Sequence, residues 1–197
     1  MKITPVICIV SLALCAACSS EPPARPVEQA QQKPAAPPVP PEIQAAANAV
    51  LGGETEVLVF GDLAKNGQVQ ALAINRLAKR PENVAPGNLL TRAAIVSKDG
   101  ATWKELFRVD EHLKNTNGFL AATPVSPVSG WRLQYEQNAE TGLQMYFTPL
   151  QQPKGGYVMT IGVRWNPKVK RYQSLDRTYT TFLGEAPALE RLSSYLK

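Results

Sequence analysis

The sequence predicts a mainly β fold of the α+β class, an antiparallel sheet of hairpins with a short N-terminal helix and a C-terminal helix. Three observations point to it. Short apolar runs rich in Val, Ile, Leu and aromatic residues recur at roughly 10–20-residue spacing, and Gly, Asn, Asp or Pro punctuates the gaps. Helical patterns stand only at the two ends of this stretch, so no strand–helix alternation of the kind that builds a parallel sheet is present. All 14 aromatic residues lie at Phe60 or beyond, which places the packed core in the later part of the chain.

The elements follow in order. Glu42–Leu51 is alanine-rich, starts just after a proline run and stops at Gly52-Gly53, which reads as a short helix with a glycine end. Thr55–Phe60 and Gln68–Leu77 read as strands flanking a loop that carries an Asn66-Gly67 turn. In the second of them Val69, Ala71 and Ala73 alternate with Leu72 and Ile74, a pattern for a strand covered on both faces. Leu90–Ser97 and Trp103–Val109 read as a hairpin about Lys98-Asp99-Gly100. The second arm has an alternative reading as a helix, because Thr102 with Glu105 matches a capping box and Trp103, Leu106 and Phe107 have helical spacing. Further strands are expected at Gly130–Gln137, Leu143–Thr148, Gly156–Trp165, Lys170–Leu175 and Thr178–Leu183, with Asn166-Pro167-Lys168 as a turn. Pro187–Leu196 reads as a terminal helix with proline in its first turn. The pattern suits an open sheet or a barrel.

The N-terminus has a different character. Met1-Lys2 is basic and Ile3–Ala17 is uncharged and apolar, too short for the roughly 20 residues of a membrane-spanning helix but right for a secretory signal. It ends in Leu14-Cys15-Ala16-Ala17-Cys18-Ser19-Ser20, which resembles the lipobox of bacterial lipoproteins. The resemblance implies a signal peptide over 1–17 and lipidation of Cys18, with a diacylglycerol and an amide-linked acyl chain such as palmitate. The chain departs from the usual pattern at Cys15, where leucine is common. Two or more acyl chains give durable membrane anchoring. Ser19 after the cysteine implies an outer-membrane lipoprotein facing the periplasm. Ordinary cleavage near Ala17, leaving a free N-terminus, is the competing reading.

Residues 18–41 follow as a lipidated terminus and a linker with eight prolines and no aromatic residue. Without apolar bulk such a segment cannot recover the entropy of ordering. With polyproline II character at about 3.1 Å per residue it would reach roughly 70 Å when extended. Residues 42–197 form the single globular domain.

Composition narrows the chemistry of that domain. All three cysteines lie within the first 18 residues, which excludes a disulfide framework, a cysteine zinc site and a thiol nucleophile from the core. No cofactor is implied, since phosphate-loop and dinucleotide signatures are absent. His112 is the only histidine, between Asp110-Glu111 and Lys114, where neighbouring acids could make it a proton carrier. Paired carboxylates such as Glu136 and Glu140 are the other candidate acid–base groups. Ser194-Tyr195-Leu196-Lys197 matches Ser-x-x-Lys without its partner motifs.

The loop Gly61–Gln70 resembles the calcium loops of FG-GAP repeats, with Asp62, Asn66 and Gly67 in the matching places. Ala64, Gln68 and Gln70 stand where further ligands would be, so Asp62 and Asn66 are weak metal candidates and a structural hairpin is the stronger reading.

The chain carries a net charge of +5, and the domain has 18 Lys and Arg against 14 Asp and Glu. The densest basic cluster is Arg164, Trp165, Lys168, Lys170 and Arg171, a candidate surface for anionic lipid heads, acidic polymer, peptidoglycan or an envelope protein. Its competing reading is a solvated hairpin whose lysines protect a sheet edge. Nucleic acid is not an expected partner for an exported chain. Trp103, Trp131 and Trp165 read as core anchors or as an aromatic binding face. The expectation is a membrane-anchored cell-envelope lipoprotein with a non-catalytic binding or assembly domain; a periplasmic carboxylate-dependent hydrolase is the alternative.

Overall fold

The structure is a computed structural model and describes residues 37–150 and 159–183. The signal segment, Cys18, most of the linker, the first residues of the Gly156 strand and the expected terminal helix Pro187–Leu196 lie outside the described residues.

Helix α1 (Pro41–Leu51) opens with proline at its first position, where a missing N–H leaves no bond unmade, and ends at Gly52 with φ 96°. Its buried residues Ile43, Ala46, Ala47 and Leu51 fall on one face at i, i+3, i+4 and i+8. Among the described residues ten strands follow: β1 (Glu56–Gly61), β2 (Gln70–Arg76), β3 (Asn88–Asp99), β4 (Thr102–Val109), β5 (Leu113–Asn115), β6 (Gly118–Phe119), β7 (Trp131–Asn138), β8 (Gly142–Pro149), β9 (Ile161–Asn166) and β10 (Arg171–Ser174). All pairings are antiparallel. The expected mainly β, antiparallel architecture is what the chain adopts.

The long strand β3 organises the sheet. One edge pairs with β2 over Leu90–Ser97. The other edge is divided, with β4 on Ala93–Asp99 and β7 on Asn88–Leu90. From β7 the sheet continues through β8 and β9 to β10, and from β4 through β5 to β6. Two branches leaving one edge must diverge, so the sheet curls and β10 comes to lie against β4 and β5. No backbone ladder joins them among the described residues; Asn115 Nδ2 donates to Tyr172 O at 2.8 Å across the gap.

The curl encloses the main core. Ring contacts run through it in sequence: Trp165 to Tyr172 at 5.3 Å, Tyr172 to Phe107 at 5.8 Å, Phe107 to Phe147 at 5.7 Å, and Phe147 to Trp131 at 6.3 Å. Trp131 satisfies its indole N–H on Asp110 O at 2.6 Å. The Tyr172 hydroxyl, deep in this core, donates to Gln70 Oε1 at 2.6 Å and so ties β10 to β2. Burial raises the Tyr172 pKa and keeps that donor protonated. Trp131 and Trp165 are therefore core residues, and Trp103 is half-buried beside α1. They do not form an aromatic face.

On the opposite side of β2 and β3, α1 packs through Ile43, Ala46, Ala47 and Leu51 onto Ala71, Ala73, Ala94 and Val96. Small side chains on both surfaces let the helix axis approach closely. This is the double coverage that the Ala71, Ala73, Leu72 and Ile74 alternation predicts. Gln44 Nε2 to Thr55 O and Arg92 to Leu51 O, each 2.9 Å, fix the helix at both ends.

Three details differ from, or decide between, the expectations. The Trp103 segment is strand, not helix: Gly100 turns at φ 59°, Thr102 Oγ1 donates back to Asp99 O, and Glu105 is engaged by Arg108 rather than capping a helix. Thr178–Leu183 is not a strand. Asp176 draws the chain into a loop around its carboxylate, and only the bridge Leu175–Phe182 remains. The short strands β5 and β6, just after His112, carry too few apolar residues to be read from the sequence.

The β1–β2 loop closes one end of the curl. Leu143 N donates to Leu63 O at 2.7 Å, which presses the loop onto the start of β8. Gly142 makes this possible: its φ is 79°, and a Cβ there would lie 2.2 Å from Leu63 O. Gly142→Ala is expected to destabilise the domain by about 3 kcal/mol. Gly67→Ala, at the same φ of 79° but with open space around it, should cost only about 1–2 kcal/mol. Urea unfolding of the two variants checks the contrast, and equal losses would contradict it.

Candidate functional site

Alternation along β7–β10 sends Leu133, Met145, Phe147, Val163, Trp165 and Tyr172 into the core. The intervening residues Gln134, Glu136, Gln144, Tyr146, Arg164, Arg171 and Gln173 therefore face outward, in a register that sets Gln144 beside Arg164 and Tyr146 beside Gly162. This polar outer surface carries two candidate sites, a basic hairpin and a tyrosine-walled cleft.

The basic hairpin is the β9–β10 pair. Asn166 Oδ1 accepts from Lys168 N at 3.0 Å and Asn166 Nδ2 donates to Gln173 Oε1 at 2.7 Å, which fixes the turn. Lys170 occupies the left-handed region at φ 51°. Lys168 and Lys170 are exposed at the tip, while Arg164 and Arg171 lie half-buried along the outer face. Arg164 lies over the Phe182 ring at 5.0 Å. Trp165 does not join this surface, because it points the other way and is 8% exposed. Among the described residues Arg164, Lys170 and Arg171 have no carboxylate partner, a property they share with Lys65, Lys79, Arg80, Arg92, Arg132 and Arg177, whereas Arg76, Lys98, Lys104, Arg108 and Lys114 each pair with one.

The cleft lies beside Arg164 on the same face. Its volume is about 460 Å³, and it is lined by Gln134, Glu136, Tyr146, Thr160 and Tyr179 with the flank of Tyr135. Tyr179 comes from the loop after β10. The Asp176 carboxylate accepts from Thr178 N at 3.0 Å, Thr178 Oγ1 at 2.7 Å, Thr180 N at 3.2 Å and Thr181 Oγ1 at 2.5 Å. The Thr181 and Thr178 hydroxyls, with the loop amides, hold its pKa down at about 2, so this anchor persists in the ionised form and is lost only as pH falls through that value.

Tyr179 is held at φ 59°. A non-glycine residue in that region costs on the order of 1–2 kcal/mol, which the Asp176 network offsets. Its ring lies on Gly162, where a Cβ would come 2.3 Å from the ring. Tyr146 meets it edge-on at 5.0 Å and 86°. The Tyr146 hydroxyl accepts from Gln144 Nε2 at 2.8 Å and donates to Glu136 Oε1 at 2.7 Å. Burial, and then the Glu136 carboxylate, push the Tyr146 pKa up to about 12.

The remaining candidates are placed as follows. In the Gly61–Gln70 loop, Asp62 Oδ1 accepts from Asn66 N at 2.9 Å and Oδ2 from Gly67 N at 3.1 Å, while Asn66 Oδ1 accepts from Gln68 N at 3.0 Å. Both Asp62 carboxylate oxygens thus accept backbone amides of the turn. Among the described residues no three His, Cys, Asp or Glu side chains gather in a metal-ligating cluster. His112 Nδ1 lies 2.7 Å from Glu111 O and its ring stands 5.0 Å from that of Phe119. Asp110 accepts from His112 N at 3.0 Å and from Lys114 Nζ at 2.7 Å. Burial opposes ionisation of Asp110, but Lys114 and the amide bring its pKa below the ordinary value. Glu140 sits at the β7–β8 turn, whose Asn138 Oδ1 caps its N–H at 2.8 Å, and Glu136 is engaged by Tyr146. Ser194 and Lys197 lie outside the described residues.

Tyr146, Tyr179 and Gly162 escape a reading of the sequence because their association spans β8, β9 and the last loop. The one local signal is Asp176-Arg177-Thr178-Tyr179-Thr180-Thr181, where hydroxyl residues follow an aspartate closely enough to cap it. No known protein family, curated protein or solved structure matches the chain.

In a spectrophotometric titration one tyrosine is expected to ionise near pH 12, and Glu136→Gln should move it down toward the ordinary value of 10.0. The stability linked to this group is present below pH 10.0 and is lost as pH rises through about 12. A titration unaffected by Glu136→Gln would contradict the Tyr146–Glu136 contact.

Proposed function

We propose that the chain is a cell-envelope lipoprotein held by lipid on Cys18, probing its surroundings from a proline-rich spacer through a non-catalytic binding domain. The partner is an acidic polymer or protein of the envelope, engaged by Arg164, Lys168, Lys170 and Arg171 on the β9–β10 hairpin. The observation that carries this reading is clustering: Arg164, Lys170 and Arg171 gather on one hairpin without a carboxylate partner among the described residues, whereas cations outside the hairpin either pair with a carboxylate or, like Lys65, Lys79, Arg80, Arg92, Arg132 and Arg177, lie on other segments. Such a surface attracts polyanions, and its field is screened over about 10 Å at 0.1 M salt.

The placement of the titratable groups supports binding over hydrolysis. His112 lies against Phe119 beside β5, and Glu136 is engaged by Tyr146 on the outer face of β7. Asp110 is held by Lys114. The lipobox-like Ala16-Ala17-Cys18 supplies the anchor, and Ser19 after the cysteine points to the periplasmic face of the outer membrane.

Two experiments test the reading. Mass spectrometry of the mature N-terminus is expected to find acylated Cys18, and Cys18→Ala should release the domain from membranes; an unmodified mature terminus would refute the anchor. Reversing Arg164, Lys168, Lys170 and Arg171 to Glu should abolish salt-sensitive co-sedimentation with isolated envelopes. Undiminished co-sedimentation of a folded variant would exclude the hairpin as the binding surface.

A further inference from the structure

The cleft beside the hairpin has a chemistry of its own that polyanion binding does not use. Its wall is two tyrosine rings, set edge to face at 5.0 Å. Tyr179 reaches its place only through a left-handed backbone at φ 59°, a carboxylate anchor at Asp176 and a strand position, Gly162, that no side chain can share. Packing the core requires none of these devices, since both rings lie on the outer face. Polar residues line the cleft around the wall: Gln134, Glu136, and Thr160, whose hydroxyl hydrogen-bonds with Thr148 Oγ1 at 2.8 Å. Glu136 lines the cleft and uses Oε1 to accept from Tyr146, while its Oε2 accepts no hydrogen bond among the described residues.

A ligand matching this arrangement must offer an apolar patch to an aromatic ring and hydroxyl donors around its rim. A pyranose does both: its axial C–H groups pack on aromatic rings, and its equatorial hydroxyls donate to carboxylates and amides. The volume of about 460 Å³ accommodates a ring and part of its neighbour. The carboxylate in the cleft disfavours an anionic sugar at that position. We infer that the cleft walled by Tyr146 and Tyr179 binds a neutral pyranose unit of a glycan chain, with Glu136 accepting from its hydroxyls. This goes beyond the charged hairpin, which recognises negative charge, and adds recognition of sugar shape next to it.

Isothermal titration of the full-length chain in detergent with an N-acetylglucosamine tetramer tests the inference. Saturable binding is expected in the wild type and in Lys168→Glu/Lys170→Glu. Glu136→Ala, at an exposed position, should weaken it about tenfold, and Tyr179→Ala should remove it. Absence of saturable binding in the wild type would overturn the inference. So would equal affinity of Glu136→Ala and wild type, with far-ultraviolet circular dichroism showing the variant folded. Loss in the lysine variant with both cleft variants unaffected would place recognition on the hairpin and overturn it too. Failure here leaves envelope co-sedimentation through the hairpin standing, so the two readings are separable.

Discussion

The divided edge of β3 governs the rest of the structure. A strand edge offers one row of donors and acceptors, and here Ala93–Asp99 gives its part to β4 while Asn88–Leu90 gives its part to β7. Two sheets cannot leave the same edge and stay coplanar. They diverge, curl, and meet again where β10 approaches β4 and β5. The space they enclose is filled by a file of aromatic rings from Trp131 to Trp165, and the Tyr172–Gln70 hydrogen bond crosses it. The free edge on the other side of β3 takes β2 and then β1, and their outer surface takes α1.

This arrangement assigns different chemistry to the outer surfaces. Over β2 and β3 the helix covers the sheet, so small apolar residues are tolerated on both faces. Over β7–β10 no described helix covers the sheet, and the outward positions include glutamine, glutamate, tyrosine, threonine and arginine. Asp176 then folds the chain after β10 back over β9, and in doing so sets Tyr179 on Gly162 and Phe182 beneath Arg164. A charged hairpin and a tyrosine-walled cleft thus become neighbours through one loop.

The sequence makes the class of fold and most of its strands legible because the signals are local. Asn66-Gly67, Asp99-Gly100 and Asn166-Pro167 mark turns, and the alternation in Gln70–Arg76 shows double coverage before any helix is placed. The calcium-like loop is legible in part: the residues that match the motif form its turn, and Asp62 binds backbone amides. What escapes is non-local. Trp165 reads as part of a basic cluster, yet strand alternation turns it inward against Tyr172. Thr178–Leu183 has strand composition, but four hydrogen bonds to the Asp176 carboxylate outweigh it. Tyr146 and Tyr179 are 33 positions apart and meet only because β8 and β9 pair.

The central claim is that the outer surface of β8–β10 and the Asp176 loop is where this domain meets its partner. Amide chemical-shift mapping of the full-length chain with solubilised envelope glycan polymer tests it most directly. The account predicts that the perturbed residues cluster at Arg164, Lys170, Arg171, Tyr146 and Tyr179, leaving α1 and the Asp62 loop unmoved. Perturbations centred on α1, or on Asp62 and Asn66, with the tyrosine cleft silent, would contradict it.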